Sequence, residues 1–86
     1  MAYKVIIRPL ALKALKKIPE LDQRRILKRV DSLAIDPRPA GMRKLRGVKD
    51  LYRIRAGDYR VVYQIQDFIL VVIVVQVSHR KDAYKN

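Results

Sequence analysis

Residues 51–65, LYRIRAGDYRVVYQI, alternate apolar and polar side chains, break at Gly57-Asp58 and alternate again. Period-two alternation is the signature of a half-buried strand. A two-residue loop with glycine first is the type II′ hairpin preference. Pairing outward from that turn sets Ala56 against Tyr59, Arg55 against Arg60, Ile54 against Val61 and Tyr52 against Tyr63. Each pair joins like faces, and a slip of one residue would carry arginines into the core. One face therefore holds Tyr52, Ile54, Tyr59, Val61 and Tyr63, and the other holds Arg53, Arg55 and Arg60. Like charges directly opposite one another destabilise a sheet. Arg53 and Arg55, at i and i+2 and about 7 Å apart, repel by roughly 0.6 kcal/mol in water and about 2 kcal/mol at an effective dielectric of 20. No acid sits among them to relieve this: Asp58 is in the turn and Asp50 precedes the strand.

The rest of the chain is read around that hairpin. YKVIIRP (3–9) alternates as a first strand and ends at Pro9, which has no N–H for a ladder. LALKALKKI (10–18) places Ala11, Ala14, Leu15 and Ile18 at helical spacing. Pro19 stops that helix and suits the start of the next. ELDQRRILKRVDSLAI (20–35) carries Gln23, Leu27, Val30 and Ala34 on one line, widened by Ile26 and Leu33, and the two helices form a hairpin. Residues 36–50, DPRPAGMRKLRGVKD, are loop-like and basic. Strands follow at 51–56, 59–66 and 69–78, then a polar tail, HRKDAYKN. The predicted class is α+β: an N-terminal strand, a two-helix hairpin and a three-stranded antiparallel meander, in one domain over 1–86.

The last strand is phased by parity. Its odd positions Ile69, Val71, Ile73, Val75 and Val77 are uniformly apolar, whereas the even ones pass from Leu70, Val72 and Val74 to Gln76, Ser78 and Arg80. Matching polar to polar puts Arg80 beside Arg53, Arg55 and Arg60, and requires an odd loop such as 66–68. The helices are then expected on the face of Val61, Tyr63, Val71 and Ile73. The arginines would rim a hollow floored by Val62, Leu70, Val72 and Val74. Valines on both faces mark an interior strand.

Charge narrows the partners. The chain has 20 Lys+Arg against 8 Asp+Glu, a formal net of +12. Such an excess on so short a chain points to a polyanion or a strongly acidic protein. There is no cysteine, so neither a disulfide nor a thiolate metal site is available, which fits a reducing cytoplasm. The longest apolar run, FILVVIVV, is far shorter than the about 20 residues of a membrane helix. No signal-peptide pattern opens the chain, and neither membrane nor cofactor is expected.

Guanidinium forks bind phosphate oxygens bidentately and stabilise charge that develops in a transition state. Arg53, Arg55, Arg60 and Arg80, with Arg43, Lys44, Arg46 and Lys49 of the loop and Tyr84 as a stacking group, suit a phosphodiester of RNA. RNA carries its own nucleophile, the 2′-OH. Serine hydrolysis lacks a glycine-flanked elbow, and one histidine makes no metal cluster. Arginine is no base. His79, the only histidine, is either a proton-transfer group or a strand-end residue hydrogen-bonded locally.

KLRGVKDLYRIRAGDYRVVYQI followed by VSHRKDAY resembles the RelE family of bacterial toxins, within the RelE/ParE superfamily, over nearly the whole chain. The resemblance implies an mRNA interferase that enters the ribosomal A site and cuts the codon there by 2′-OH attack. The products are a 2′,3′-cyclic or 3′-phosphate and a 5′-OH. It implies catalytic roles for Arg53, Arg55, Arg60, Arg80 and Tyr84, and a looser match for His79. A well-known member has lysines where this chain has Arg53 and Arg55, so the family's base does not transfer. The implied partners are an acidic antitoxin, the 70S ribosome and mRNA. The alternatives are a ParE-like inhibitor of DNA gyrase that cuts no RNA, and a non-catalytic RNA-binding relic. Cleavage only inside codons of translated message distinguishes the first reading from both.

Overall fold

The computed structural model describes residues 2–47 and 49–81. In chain order it contains β1 (Lys4–Ile7), α1 (Pro9–Lys16), α2 (Glu20–Ser32), β2 (Arg43–Lys44), β3 (Leu51–Ala56), β4 (Tyr59–Gln66), a 3₁₀ turn (Asp67–Ile69) and β5 (Val71–His79). The strands form one sheet in the order β1-β5-β4-β3-β2. β1 joins β5 in parallel, which makes β5 interior, and the other pairings are antiparallel. The α+β class and the meander agree with the sequence reading. The predicted N-terminal strand is a parallel edge strand, and the two-residue β2 raises the strand count from four to five.

The β3–β4 register is the one built from the turn, with Arg55 opposite Arg60 and Tyr52 opposite Tyr63. Gly57 takes φ +62° while Asp58 is not in the left-handed region, the type II′ pattern. Tyr52, Ile54, Ala56, Val61, Tyr63 and Ile65 are buried on one face. Against them pack Ala11 and Leu15 of α1 and Ile26, Val30 and Leu33 of α2. Full burial of one such aliphatic side chain is worth about 1.5–3 kcal/mol. The α2 stripe is thus Ile26, Val30 and Leu33. Gln23, expected on the core line, instead turns its amide to the end of α1. Its Nε2 donates to Ile18 O (2.7 Å) and Lys16 O (3.4 Å), tying the two helices together. Both helices end earlier than expected. After Ser32 the chain tightens through bonds from Ala34 N to Asp31 O and Ile35 N to Ser32 O, because Pro37 disfavours helix just before it.

The phase of β5 differs from expectation. Val72 and Val74 face the helices at 0% exposure, whereas Val71 and Ile73 lie half-buried on the other side. The loop from β4 spans 67–70, an even four residues, so Gln66 pairs with Val71. Tyr63 then pairs with Val74 but Val62 with Gln76, a bulge at Val75. One extra residue inverts the alternation. Beyond it Val77 is buried and Ser78 lies opposite Arg60. An even loop and a bulge leave the same parity as the odd loop expected, so Ser78 lies on the arginine side, and Arg80 follows just past the strand's end. The hollow's floor is corrected: Val62 belongs to it, Val72 and Val74 belong to the core, and Leu70 sits in the turn at φ +54°. Ile69, read as the start of the strand, lies with Phe68 in the 3₁₀ turn; Phe68 is fully and Ile69 mostly exposed.

Two polar ties hold the loop after α2. The buried Tyr63 hydroxyl donates to Pro37 O at 2.7 Å. Arg38 forks onto both oxygens of Asp67 (3.1 and 2.9 Å), and the Tyr3 hydroxyl donates to Asp67 at 2.7 Å. Arg38 also lies 5.5 Å from the centroid of the Tyr52 ring. Tyr63→Phe is expected to destabilise the fold by about 1–3 kcal/mol in urea unfolding, because the buried Pro37 carbonyl loses this donor. Burial pushes the Tyr63 phenol up to about 12 from 10.0. Its folded value lies above its unfolded one, so this stability is complete below pH 10 and fades as pH rises toward 12. The Phe variant should lack that alkaline limb.

Hydrogen bonds from Arg38 and Tyr3 hold the Asp67 carboxyl down at about 2 from 3.8. The depressed value stabilises the fold above pH 3.8, and the effect is lost as pH falls toward 2. Unfolding curves of wild type and Asp67→Asn should differ at neutral pH and converge near pH 2. A gap that persists at pH 2 would show that the carboxylate charge is not what Arg38 and Tyr3 recognise.

Candidate nucleic-acid interface

The sheet face opposite the buried core carries the arginines. Strand alternation leaves β4 no other arrangement: with Val61 and Tyr63 at 0% exposure, Arg60 and Val62 must project oppositely. Arg53 and Arg60 are half-buried and Arg55 is exposed. The structure adds Arg43 to this set. The short β2 pairs with β3 so that Arg43 lies opposite Arg53. Two facing arginine pairs, Arg43–Arg53 and Arg55–Arg60, therefore share one face. A two-residue strand carries no periodic signal, so only a basic residue in a loop was visible beforehand.

Next to these arginines lies a groove of about 510 Å³, lined by Leu10 and Ala14 of α1 with Leu45, Leu51, Val62 and Val75. Val62 sits opposite Arg53, so cations and apolar floor adjoin. The combination suits a ligand with both phosphates and exposed bases, since phosphates take the forks and bases take apolar contact.

The other predicted residues separate. Arg80 is exposed, and its N–H donates to Asp58 O at 2.8 Å, which holds the end of β5 at the hairpin tip. His79 is not brought to the arginine face. It pairs with Tyr59 on the opposite side of the sheet, stands edge-on to that ring at 5.1 Å, and accepts the Lys81 N–H at Nδ1. Lys44, Arg46 and Lys49 leave the face as well and line a separate pocket of about 380 Å³. Tyr84 lies outside the described residues. Sequence reasoning also passed over Arg25, Lys28 and Arg29, which line a pocket at the hairpin tip. Their signal was cations at i, i+3 and i+4 on one helix face.

Residues 5–84 match the model of the ParE toxin of the type II toxin–antitoxin system parDE. The chain is similar to the mRNA interferase toxin RelE of Escherichia coli K12, with 35% identity over 83 residues, 94% of this chain and 86% of that protein. In structure it resembles the archaeal RelE–RelB complex from Pyrococcus horikoshii OT3, at 36% identity and TM-score 0.82, covering 93% of this chain and 97% of that one. It also resembles the intact E. coli RelBE toxin–antitoxin complex, at 34% identity and TM-score 0.78, covering 91% and 96%. A match along nearly the whole chain, joined to the same fold in relatives above 30% identity, establishes that this protein belongs to the RelE/ParE family of type II toxin–antitoxin toxins.

Proposed function

We infer that the protein is an endoribonuclease that cuts mRNA in the ribosomal A site and so stops translation. The observation that carries this reading is the pair of facing arginine pairs, Arg43–Arg53 and Arg55–Arg60, beside an apolar groove. A face that only needed solvation would mix signs. The E. coli relative's description as an mRNA interferase supports the same chemistry. In the reaction the 2′-OH of one nucleotide attacks the adjacent phosphorus. The bond from 2′-oxygen to phosphorus forms and that to the 5′-oxygen breaks, while water takes the 2′ proton and supplies one to the 5′-oxygen. Arg53, Arg55 and Arg60 bind the nonbridging oxygens and stabilise the added negative charge. Arg80, at the hairpin tip, hydrogen-bonds the leaving 5′-oxygen and stabilises its charge. Tyr84 stacks on or orients a base. Arg43 continues the phosphate track, and Lys44, Arg46 and Lys49 hold RNA beyond the cleavage point.

His79 takes no proton in this reading, because it faces Tyr59. Arginine takes none either. The rate then rests on charge stabilisation and on holding the 2′-OH in line. The restraining partner is an acidic antitoxin protein that covers the same basic face. Complexes of this fold with RelB in P. horikoshii and E. coli support it. Ribosomal substrate and cysteine-free composition together fit the cytoplasm.

Expression in a translating extract, with 5′ ends mapped on a reporter message, tests the whole reading. Cleavage inside codons, on translated message alone, is expected. Intact message with gyrase-linked DNA breaks would select the ParE-like activity instead. Within the same assay Arg55→Ala should lower cleavage by about a hundredfold or more, the scale of a lost preorganised donor. Its melting temperature should hold or rise, since a like-charge pair is relieved. Loss of several degrees with full cleavage would make the cluster structural. Arg55→Lys keeps the charge without the fork, and should cut slowly while still binding ribosomes. His79→Gln should lose far less than the about hundredfold that removal of a general base brings. Disappearance of the low-pH limb in that variant would return the base role to His79.

A further inference from the structure

A second basic surface lies on α2, where it meets the tip of the β3–β4 hairpin. Arg25, Lys28, Arg29 and Ser32 follow one another at i, i+3, i+4 and i+7, so they share one helix face. With Arg55, Ala56 and Gly57 they line a pocket of about 430 Å³. Arg25 Nη1 comes within 3.9 Å of where a side chain on Gly57 would begin, so the guanidinium lies against the turn. Arg29 is fixed by its Nε, which donates to Arg55 O at 3.2 Å. Ser32 spends its hydroxyl proton on Arg29 O at 2.6 Å. Among the described residues, neither Arg25 nor Lys28 has an ion pair or side-chain hydrogen bond. Asp22 and Asp31 lie three residues from Arg25 and Lys28 without an ion pair to either, and Glu20 is held by Arg24 at 3.0 Å. The cations of this helix face are thus not tied up in ion pairs, and Arg29 is braced.

We propose that this pocket seats a backbone phosphate of double-helical RNA, giving the protein a second RNA contact on α2 that adjoins the arginine face at Arg55. The lining contains no aromatic side chain on which an unpaired base could stack, so a single strand gains little here. It contains none of the large exposed hydrophobics, such as Leu21, Ile35 or Phe68, that would anchor an amphipathic peptide. What remains is recognition of a backbone by cations, which is how duplex RNA is read. The inference deepens the ribosomal reading above and rests on it, since structured RNA surrounds a message held on the ribosome.

The test uses the full-length protein and an RNA hairpin with a stem of about 16 base pairs. Binding is measured over a salt series for wild type, for Arg25→Gln/Lys28→Gln, and for Lys13→Gln/Lys16→Gln as a matched loss of charge on α1. Glutamine keeps helix propensity close to that of arginine and lysine, and thermal melts confirm folding. The α2 variant should bind at least about tenfold more weakly, with the slope of log affinity on log salt reduced by about one, for the one lost phosphate contact. The α1 variant should change far less. Equal losses in the two variants would reduce the effect to net charge and overturn the site. So would unchanged affinity in the α2 variant, or a wild type that ignores the hairpin. A selective loss of antitoxin affinity in the α2 variant would give the surface to a protein partner instead. The assay contains no ribosome and no cleavage step, so its result is independent of whether the protein cuts message.

Discussion

Every functional placement in this molecule depends on the alternation of β4. Val61, Tyr63 and Ile65 are driven inward by apolar burial, which requires Arg60, Val62, Gln64 and Gln66 to project from the other face. The tight turn at Gly57 then leaves β3 one register, and that register sets Arg55 against Arg60. Core burial and charge clustering are two consequences of one constraint. The repulsion across the hairpin cannot be relieved by a slip, because a slip of one residue would bury the arginines and expose the tyrosines.

The bulge at Val75 is the second determinant. It lets β5 present Val72 and Val74 to the helices at one end and Val77 at the other while Ser78 stays level with Arg60. Parallel pairing with β1 covers only Lys4 to Ile7 against Val71 to Val74. Just past the last of these pairs α1 begins, and Leu10 and Ala14 wall the apolar groove beside Val75. The irregularity therefore sits where the edge of the sheet changes from strand to helix. Bulges recur where a chain must re-aim side chains near a working surface.

Polar groups inside and at the rim fasten the basic loop without intruding on the arginine face. Tyr63 reaches through the core to Pro37 O, and Arg38 is drawn to Asp67. One arginine of the loop thus serves structure through a carboxylate, while Arg43 lies across from Arg53. A net charge of +12 does not treat all cations alike. Arg24 and Arg38 are paired with acids, Arg29 braces an edge carbonyl of β3, and Arg43 and Arg55 stand opposite other cations.

By itself the sequence determined the α+β class, the helical hairpin, the β3–β4 register and the sharing of one face by Arg53, Arg55 and Arg60. These are local properties: periodicity, proline and glycine punctuation, and a two-residue turn carry them. Nearly the whole family signature, from the basic loop to HR, was legible for the same reason. Only the tertiary structure decided the phase of β5, because its valines are apolar on both faces and parity cannot be read where both sides are buried or half-buried. It alone brought Arg43 opposite Arg53, since a two-residue strand is defined by its partner and by nothing in itself. It set His79 edge-on to the Tyr59 ring, a contact that exists only because the ends of β4 and β5 pair there. And it gathered Arg25, Lys28 and Arg29 with Gly57, residues about thirty positions apart that become neighbours only when α2 packs across the hairpin.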